Sequence, residues 1–359
     1  MSHLSRADIL ELHAALVGIP SVSGSEEEIV TFVAQYLQRH GLEVDTLERN
    51  VIARPAQGGA PRLLLNSHLD TVPPSSKWTR EPWDVSREEG RVYGLGSNDA
   101  KAAVTAMMVT LIEQSRQHPT RPIALTLVAD EETGGRGTEL VLPELQARAW
   151  PLEAAVVGEP TGLNVAVAQK GMLILQLVAE GDVCHSANAN AMGARNAVFE
   201  LARDLTALEG ERFGGDHPIL GQTSLQPTIT RAGHVRNALP GEASSFLDLR
   251  TVPGDDHDSM VEKIRARVEN RVEVISKRLV PRECPAEHPL IAAAKAARPG
   301  AKLYGSPTMS DWVFFEEIPA IKVGPGQSAR SHTPDEYVEE NEVLEGAAFY
   351  AALIDHYFS

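Results

Sequence analysis

Residues 63–70 read LLLNSHLD and residues 123–132 read IALTLVADEE. Each is a short apolar run that ends in imidazole or acid, the pattern of a buried strand whose end meets a polar site. His68 and Asp70 stand two apart, so a strand continued through them puts both on one face. Glu131 and Glu132 close the second run. Neighbours at a strand end point opposite ways, so one can ligate a metal while the other faces a reacting water. Two further stretches follow the same pattern. GLGSNDAK (94–101) carries Asp99 just before a helical segment, and AAVVGEPT (154–161) carries Glu159. The steps from His68 to Asp99, Asp99 to Glu132 and Glu132 to Glu159 are 31, 33 and 27 residues, each close to one βα unit of roughly 30 residues. Recurrence at that interval gathers side chains at the carboxyl edge of a parallel sheet, where open α/β folds build their sites. His332 arrives late, in GPGQSARSHTPDE (324–336), again after an apolar run.

Working outward, Ile29, Phe32, Val33, Tyr36 and Leu37 repeat at helical spacing, and Ser23 or Ser25 is placed to cap that helix. Helical segments at 102–112 and 140–147 alternate with strands at 62–66, 123–128 and 154–157, which predicts βαβ units and a mainly parallel sheet with helices on both faces. From about Lys170 the pattern changes. Strands at 172–179, 224–230, 244–249 and 272–279 and helices at 194–208 and 259–268 follow a β-α-β-β-α-β order, that of a ferredoxin-like open-faced sandwich. After Pro281 the α/β alternation returns, with a helix at 289–297, a strand at 320–323 and a helix at 341–357. The expected organisation is an α/β catalytic domain, 1–169 and 281–359, interrupted by an inserted domain, 170–280.

The chain has 359 residues, with 33 Lys and Arg against 49 Asp and Glu, a net charge of −16. No lysine-rich run is present, which argues against nucleic acid or an anionic membrane as partner. No stretch of 18 apolar residues suits a membrane span. The N-terminal residues carry Asp8 and Glu11 among apolar neighbours and read as an amphipathic helix, not a signal peptide, so the expected setting is the cytoplasm. Two cysteines, Cys184 and Cys284, make neither a disulfide framework nor a thiolate zinc site.

Converging carboxylates repel, and a cluster this size forces some to hold protons unless a cation neutralises them. One His and one carboxylate per metal with a shared Asp between them suits a two-metal hydrolytic centre. Nitrogen and oxygen donors without thiolates favour zinc, with cobalt or manganese next. Each motif alone has a plainer reading. His-x-Asp is often a hydrogen-bonded pair, Glu-Glu before Gly134-Gly135 a polar loop start. GLGSN lacks the spacing and the Gly-Lys-Ser/Thr ending of a phosphate loop. Their joint order is what argues for a site.

HLDTV, GLGSNDAK, DEETGG, GEPT and SHTPDE stand in the order and spacing of the M20 metallopeptidase superfamily, and the chain resembles its acetylornithine deacetylase and succinyl-diaminopimelate desuccinylase members. GLGSNDA and SPTMSD followed by GPGQSARSHT are similar to a bacterial branch acting on acylated ornithine, citrulline or lysine. The resemblance implies that His68, Asp99 and Glu159 hold one metal and that Asp99, Glu132 and His332 hold a second. It implies Glu131 as general acid/base and Asp70 as the carboxylate orienting His68. His185 matches a histidine that enters the partner subunit's site to steady an oxyanion, so a homodimer is expected. Asn237 and Arg250 match positions holding the substrate carboxylate, and Ser310, Gly324 and Gly326 match the wall near it. Where the family pattern often has glycines after its motif lysine, this chain has Lys101-Ala102-Ala103.

The expected activity is removal of an N-acyl group, acetyl first, from an amino acid such as N2-acetylornithine in arginine biosynthesis. The same ligand set would serve N-acetylcitrulline, a succinylated amino acid, a carrier-linked lysine or a dipeptide. A non-enzymatic binding relative is the remote alternative. Arg250 has a plainer reading as an ordinary solvated strand residue, and His234, three residues before Asn237, is a weaker candidate for substrate contact. Cys184 beside His185 reads as structural.

Overall fold

Leu63–His68 and Ile123–Val128 are strands with every residue buried, paired in parallel from Leu63↔Ile123 to His68↔Val128. Strands that are apolar on both faces need cover on both, and this one constraint organises the larger unit of the computed structural model, which describes residues 3–359. On the other side Leu63–His68 pairs in parallel with Ala154–Val157, which pairs in parallel with Ala320–Lys322. The four central strands are parallel, as expected. The flanks are not: the hairpin Leu42–Leu47 and Asn50–Pro55 joins Ile123–Val128 antiparallel, and Val165–Gln169 joins Ala320–Lys322 antiparallel. Neither flank is among the strands expected from the sequence, although at six, six and five residues these strands are as long as the central ones.

The helix Lys101–Gln117 is buried along most of its length. Its small side chains let it run close to the strand ends. A Cβ on Gly158 would lie 3.0 Å from the Ala103 Cβ and 2.8 Å from the Met107 Cε. The close approach that a glycine on the helix would allow is here supplied by a glycine on the facing strand end. The helix Glu27–Arg39 forms where its periodicity places it, but neither Ser23 nor Ser25 caps it. Its N-cap is Glu26, without a side-chain cap bond, and the Ser23 hydroxyl instead donates to Asp70 Oδ2 at 2.6 Å. The hydroxyl oxygen that could have accepted from the helix's first amides is turned to Asp70 instead.

The chain divides into two compact units. One holds the described residues up to Val167, Cys284–Tyr304 and Ser310–Ser359, and the other holds Ala168–Glu283 and Gly305–Met309. The second unit is a four-stranded antiparallel sheet in the order Ser224–Ala232, Glu242–Thr251, Gly171–Glu180, Arg271–Leu279. Leu173, Leu175, Leu177 and Ala179 alternate inward on one strand and Ala243, Leu247 and Leu249 on its neighbour. They form a core with Leu201 of the helix Ala197–Leu208 and Met260 and Ile264 of the helix His257–Arg265. Among the described residues no helix is long and apolar enough to cross a membrane.

His13 lies wholly buried on the helix Arg6–Val17. The Thr105 hydroxyl donates to the Lys101 carbonyl at 2.6 Å and so accepts from His13 Nδ1 at 3.0 Å, while His13 Nε2 has no partner. Burial holds its pKa down, from 6.5 to about 3. The folded chain therefore keeps the ring neutral where the unfolded chain would protonate it. This contribution to stability is complete above pH 6.5 and is lost as pH falls towards 3, by about 1.4 kcal/mol per pH unit. Replacing His13 with Leu removes that dependence. Thermal melts of His13→Leu should lose less stability than the parent between about pH 6.5 and 5, and parallel losses would contradict the assignment.

Candidate metal centre

The strand Leu63–His68 ends at His68 itself, so Asp70 lies beyond it in a loop, not on the strand face. Asp70 is fully buried, and its carboxylate accepts the Glu131 N–H (Oδ1, 3.1 Å), the Glu132 N–H (Oδ2, 3.1 Å) and the Ser23 hydroxyl. His68 Nδ1 lies 3.0 Å from the Asp70 carbonyl and 3.5 Å from its carboxylate. The other ring nitrogen, Nε2, is 3.3 Å from Asp99 Oδ1. Asp70 thus fixes the orientation of the histidine and, through two amides, the turn that carries both glutamates.

That turn replaces the strand end expected for Glu131 and Glu132. The strand stops at Val128, Asp130 adopts φ +58°, and residues 131–134 turn before the helix Arg136–Ala147. Their two side chains therefore differ in direction because of turn geometry, not strand alternation. Gly135, at φ +71°, ends the turn; a Cβ there would run into the Phe314 ring and lie 2.9 Å from Asp311 Oδ1.

Ligand atoms of His68, Asp99 and Glu132 lie within 4.8 Å of one another. His332 joins them, with Nε2 2.9 Å from Glu132 Oε1 and 3.9 Å from Asp99 Oδ2. Asp99 therefore faces an imidazole on either side. Glu159 stands outside the tight triple but is felt by it. Burial, with the charge of Asp99 next, pushes the Glu159 carboxyl up to about 8. Burial and the charge of Glu159 push Glu131 well above the usual range. Burial opposes protonation of His68, yet its bonds to Asp70 and Asp99 hold its pKa well above 6.5. The bond to Glu132 raises His332 to about 9. Acids that resist ionising and imidazoles that hold protons are what a cation site looks like when protons do the neutralising. The donor set, two imidazoles and three carboxylates, fits two divalent ions.

Three further buried groups surround the centre that the sequence motifs do not single out. Asp311 accepts from the Thr138 hydroxyl at 2.8 Å, while its Oδ1 is buried without a partner, and burial raises its pKa to about 7. Its signal lay in SPTMSD, one residue past Ser310. Glu336 is pushed up to about 7 by burial and then by Asp99. Lys322 is buried near Glu159, Glu131 and Asp99, and burial lowers its pKa against their pull. Lys322 carries no mark in the sequence, and Glu336 closes SHTPDE with nothing to set it apart from Asp335, since acids and lysines are normally solvated.

Ser310, buried, starts the short helical turn Asp311–Phe314. The two glycines expected at the substrate wall have packing reasons of their own. A Cβ on Gly324 would lie 2.6 Å from the Glu159 carbonyl and 2.9 Å from Tyr350 Oη, and one on Gly326 would strike Asn98 Oδ1. In the other unit, His185 and Asn237 meet: Ser186 N–H donates to the Asn237 carbonyl and Leu239 N–H to the Cys184 carbonyl, both at 2.9 Å. His185 Nδ1 accepts from the Ala187 N–H at 3.2 Å, which leaves Nε2 to carry the proton. Arg250 is tied by two bonds, 2.8 and 3.1 Å, to Asp248, and His234 lines a groove with Arg231 and Glu242.

Residues 64–356 match the sequence profile described as Peptidase family M20/M25/M40. A protein of Aspergillus terreus named "Probable carboxypeptidase" is 32% identical over 275 residues, 70% of this chain and 62% of that relative. The chain thus spans less than two thirds of the relative's length. Aminopeptidase PepT from Bacillus cereus superposes with a TM-score of 0.81 at 18% identity, covering 99% of this chain and 100% of that one. The YXEP protein of Bacillus subtilis, described as a dinuclear metal binding peptidase from the M20 family, superposes with a TM-score of 0.73 at 15% identity, covering 97% of each chain.

Gly324 offers a direct test of this packing. Its neighbours are a backbone carbonyl and a buried tyrosine whose hydroxyl is bonded to the Val323 carbonyl at 2.7 Å. Neither can retreat easily, so Gly324→Ala should cost about 1–3 kcal/mol in denaturant unfolding. A neutral substitution would show that the loop is looser than its contacts imply.

Proposed function

The chain belongs to peptidase family M20/M25/M40, and on that premise we propose that it is a two-metal amidohydrolase removing an acyl group, acetyl first, from the α-nitrogen of an amino acid such as ornithine. The observation that carries the reading is the grouping of His68, Asp99, Glu132 and His332 beside a half-buried Glu131 and Glu159. His68, Asp99 and Glu159 would hold one divalent ion, and Asp99, Glu132 and His332 the other, with zinc favoured by the donor set. Two such ions supply Lewis acidity toward an amide carbonyl and lower the pKa of water.

The chain's own residues do the rest. Glu131, held by the bond from its N–H to Asp70, accepts the proton of the attacking water and delivers it to the departing nitrogen. His185, with Nε2–H free to donate, steadies the oxygen that becomes negative. Asn237 and Arg250 would meet the substrate carboxylate, with Ser310 and the Gly324–Gly326 loop as the wall beside it. Arginine biosynthesis in the cytoplasm is the process this substrate implies.

A second reading is favoured by the relative named a carboxypeptidase: a dipeptide or short peptide cut at the bond next to its terminal carboxylate. The two readings share every ligand and differ only in what lies on the acyl side. A panel of N-acetylornithine, N-acetylcitrulline, N-succinyl amino acids and dipeptides, offered to zinc-loaded protein, separates them. Preference for the acetylated amino acids supports the first reading, and preference for dipeptides replaces it with the second. In either case Glu131→Gln should bind two equivalents of zinc and lose about 10²–10⁴ in kcat, because an amide cannot take the proton. Near-parental turnover would remove Glu131 from this role.

His185 is proposed to act across a homodimer built on the inserted unit. Mixing His185→Ala with Glu131→Gln chains, each nearly inactive alone, then creates one site with both groups intact. Activity should return to at most about one working site per mixed dimer. A mixed dimer as inactive as its parents would place His185 within its own chain or outside the reaction.

A further inference from the structure

Glu336 is 2% exposed, and its carboxylate gathers three backbone donors from one loop: the N–H of Gly96 at 3.1 Å, Asn98 at 2.8 Å and Asp99 at 2.9 Å. Its own carbonyl accepts a fourth, the Gly94 N–H at 3.0 Å. The loop that presents Asp99 is thus wound on residue 336. The next contact runs the other way. Asn98 Oδ1 accepts the Gln327 N–H at 2.8 Å, and Nδ2 donates to the Gln327 carbonyl at 3.1 Å and to Ser331 Oγ at 3.4 Å. Gly326, at φ +83°, leaves room for that amide where a Cβ would strike it.

These bonds grip the segment 327–336 at both ends, and His332 sits between them at φ +59°, a left-handed conformation uncommon outside glycine. The neighbouring acid shows that the arrangement is particular to residue 336. Asp335 accepts from the Thr79 and Arg80 N–H groups, away from the centre.

We propose that Glu336 and Asn98 are positioning residues that hold Asp99 and His332 at the separation needed for a shared divalent ion. The proposal rests on the metal-centre reading above and adds to it the groups that make the centre preformed instead of assembled by the ion. Charge-assisted bonds to three amides are among the stronger ones available to a loop, and outer residues of this kind tune ion affinity by about 10–100-fold.

The test is titration of metal-free protein with Zn²⁺ by calorimetry, with the visible absorption of the Co²⁺ form as a report on ligand geometry. The parent should bind two ions. Glu336→Gln keeps the shape but turns an NH₂ towards amide donors, so at least one binding step should weaken about tenfold or more, with a changed cobalt spectrum. Asn98→Ala should do the same without touching Glu336. Leu37→Ala, a core truncation in the helix Glu27–Arg39, should lower the melting temperature and leave both affinities and the spectrum unchanged. If Glu336→Gln and Asn98→Ala both bind two ions with parental affinity and spectrum, the proposal is overturned. If Glu336→Gln does not fold, Asn98→Ala decides alone. A parent that binds fewer than two ions overturns the metal-centre reading itself, a result distinct from the first.

Discussion

Repulsion among carboxylates at the end of a buried parallel sheet is the constraint on which the rest of this structure depends. Glu131 and Glu159 are held with little water, and after burial itself the charge of Glu159 on Glu131 and of Asp99 on Glu159 makes each harder to ionise. Such a group can be relieved by protons, by buried cations or by bound metal. All the local means are present: protonated His68 and His332, and the buried Lys322 near Glu159. Two imidazoles and three carboxylates gathered in one place suit a cation, and under the proposed hydrolysis Glu131 is the acid left over to handle the proton.

The second principle of the site is that its acids are positioned by backbone amides. Asp70 takes the amides of Glu131 and Glu132, and Glu336 takes those of Gly96, Asn98 and Asp99. Amides satisfy a carboxylate without adding a mobile charge or a long side chain to be ordered. The turn carrying Glu131 and Glu132 and the loop carrying Asp99 are each held by a carboxylate bonded to their backbone amides. The glycines serve the same end. Gly135, Gly324 and Gly326 each stand where a Cβ would collide with a group that holds or carries a site residue.

Much of this was legible in the chain. Apolar runs at 63–65, 123–128 and 154–157 ending in His68, Glu131, Glu132 and Glu159 marked the strands and the edge at which they meet. The β-α-β-β-α-β succession marked the second unit, with its alternating Leu173, Leu175 and Leu177. What misled was the assumption that residues at strand ends obey strand alternation. His68 ends its strand and the two glutamates sit in a turn, because a site needs side chains that converge, while a strand can only send them to opposite faces.

Sequence by itself determined the central strands and main helices, their order and the donor types offered at the strand ends, since these follow from periodicity, unit length and residue chemistry. The antiparallel flanks emerged only in the fold. Tertiary structure alone decided which polar residues are buried. Asp335 and Glu336 are adjacent acids that no local rule distinguishes. One is bonded to Thr79 away from the centre, and the other is enclosed beneath Asp99. Asp311 and Lys322 became part of the centre only when segments more than a hundred residues from its earlier motifs were brought against it. Burial is a property of the assembled packing, and the charge, hydrogen bonding and reactivity of a titratable side chain are set by burial and not by its neighbours along the chain.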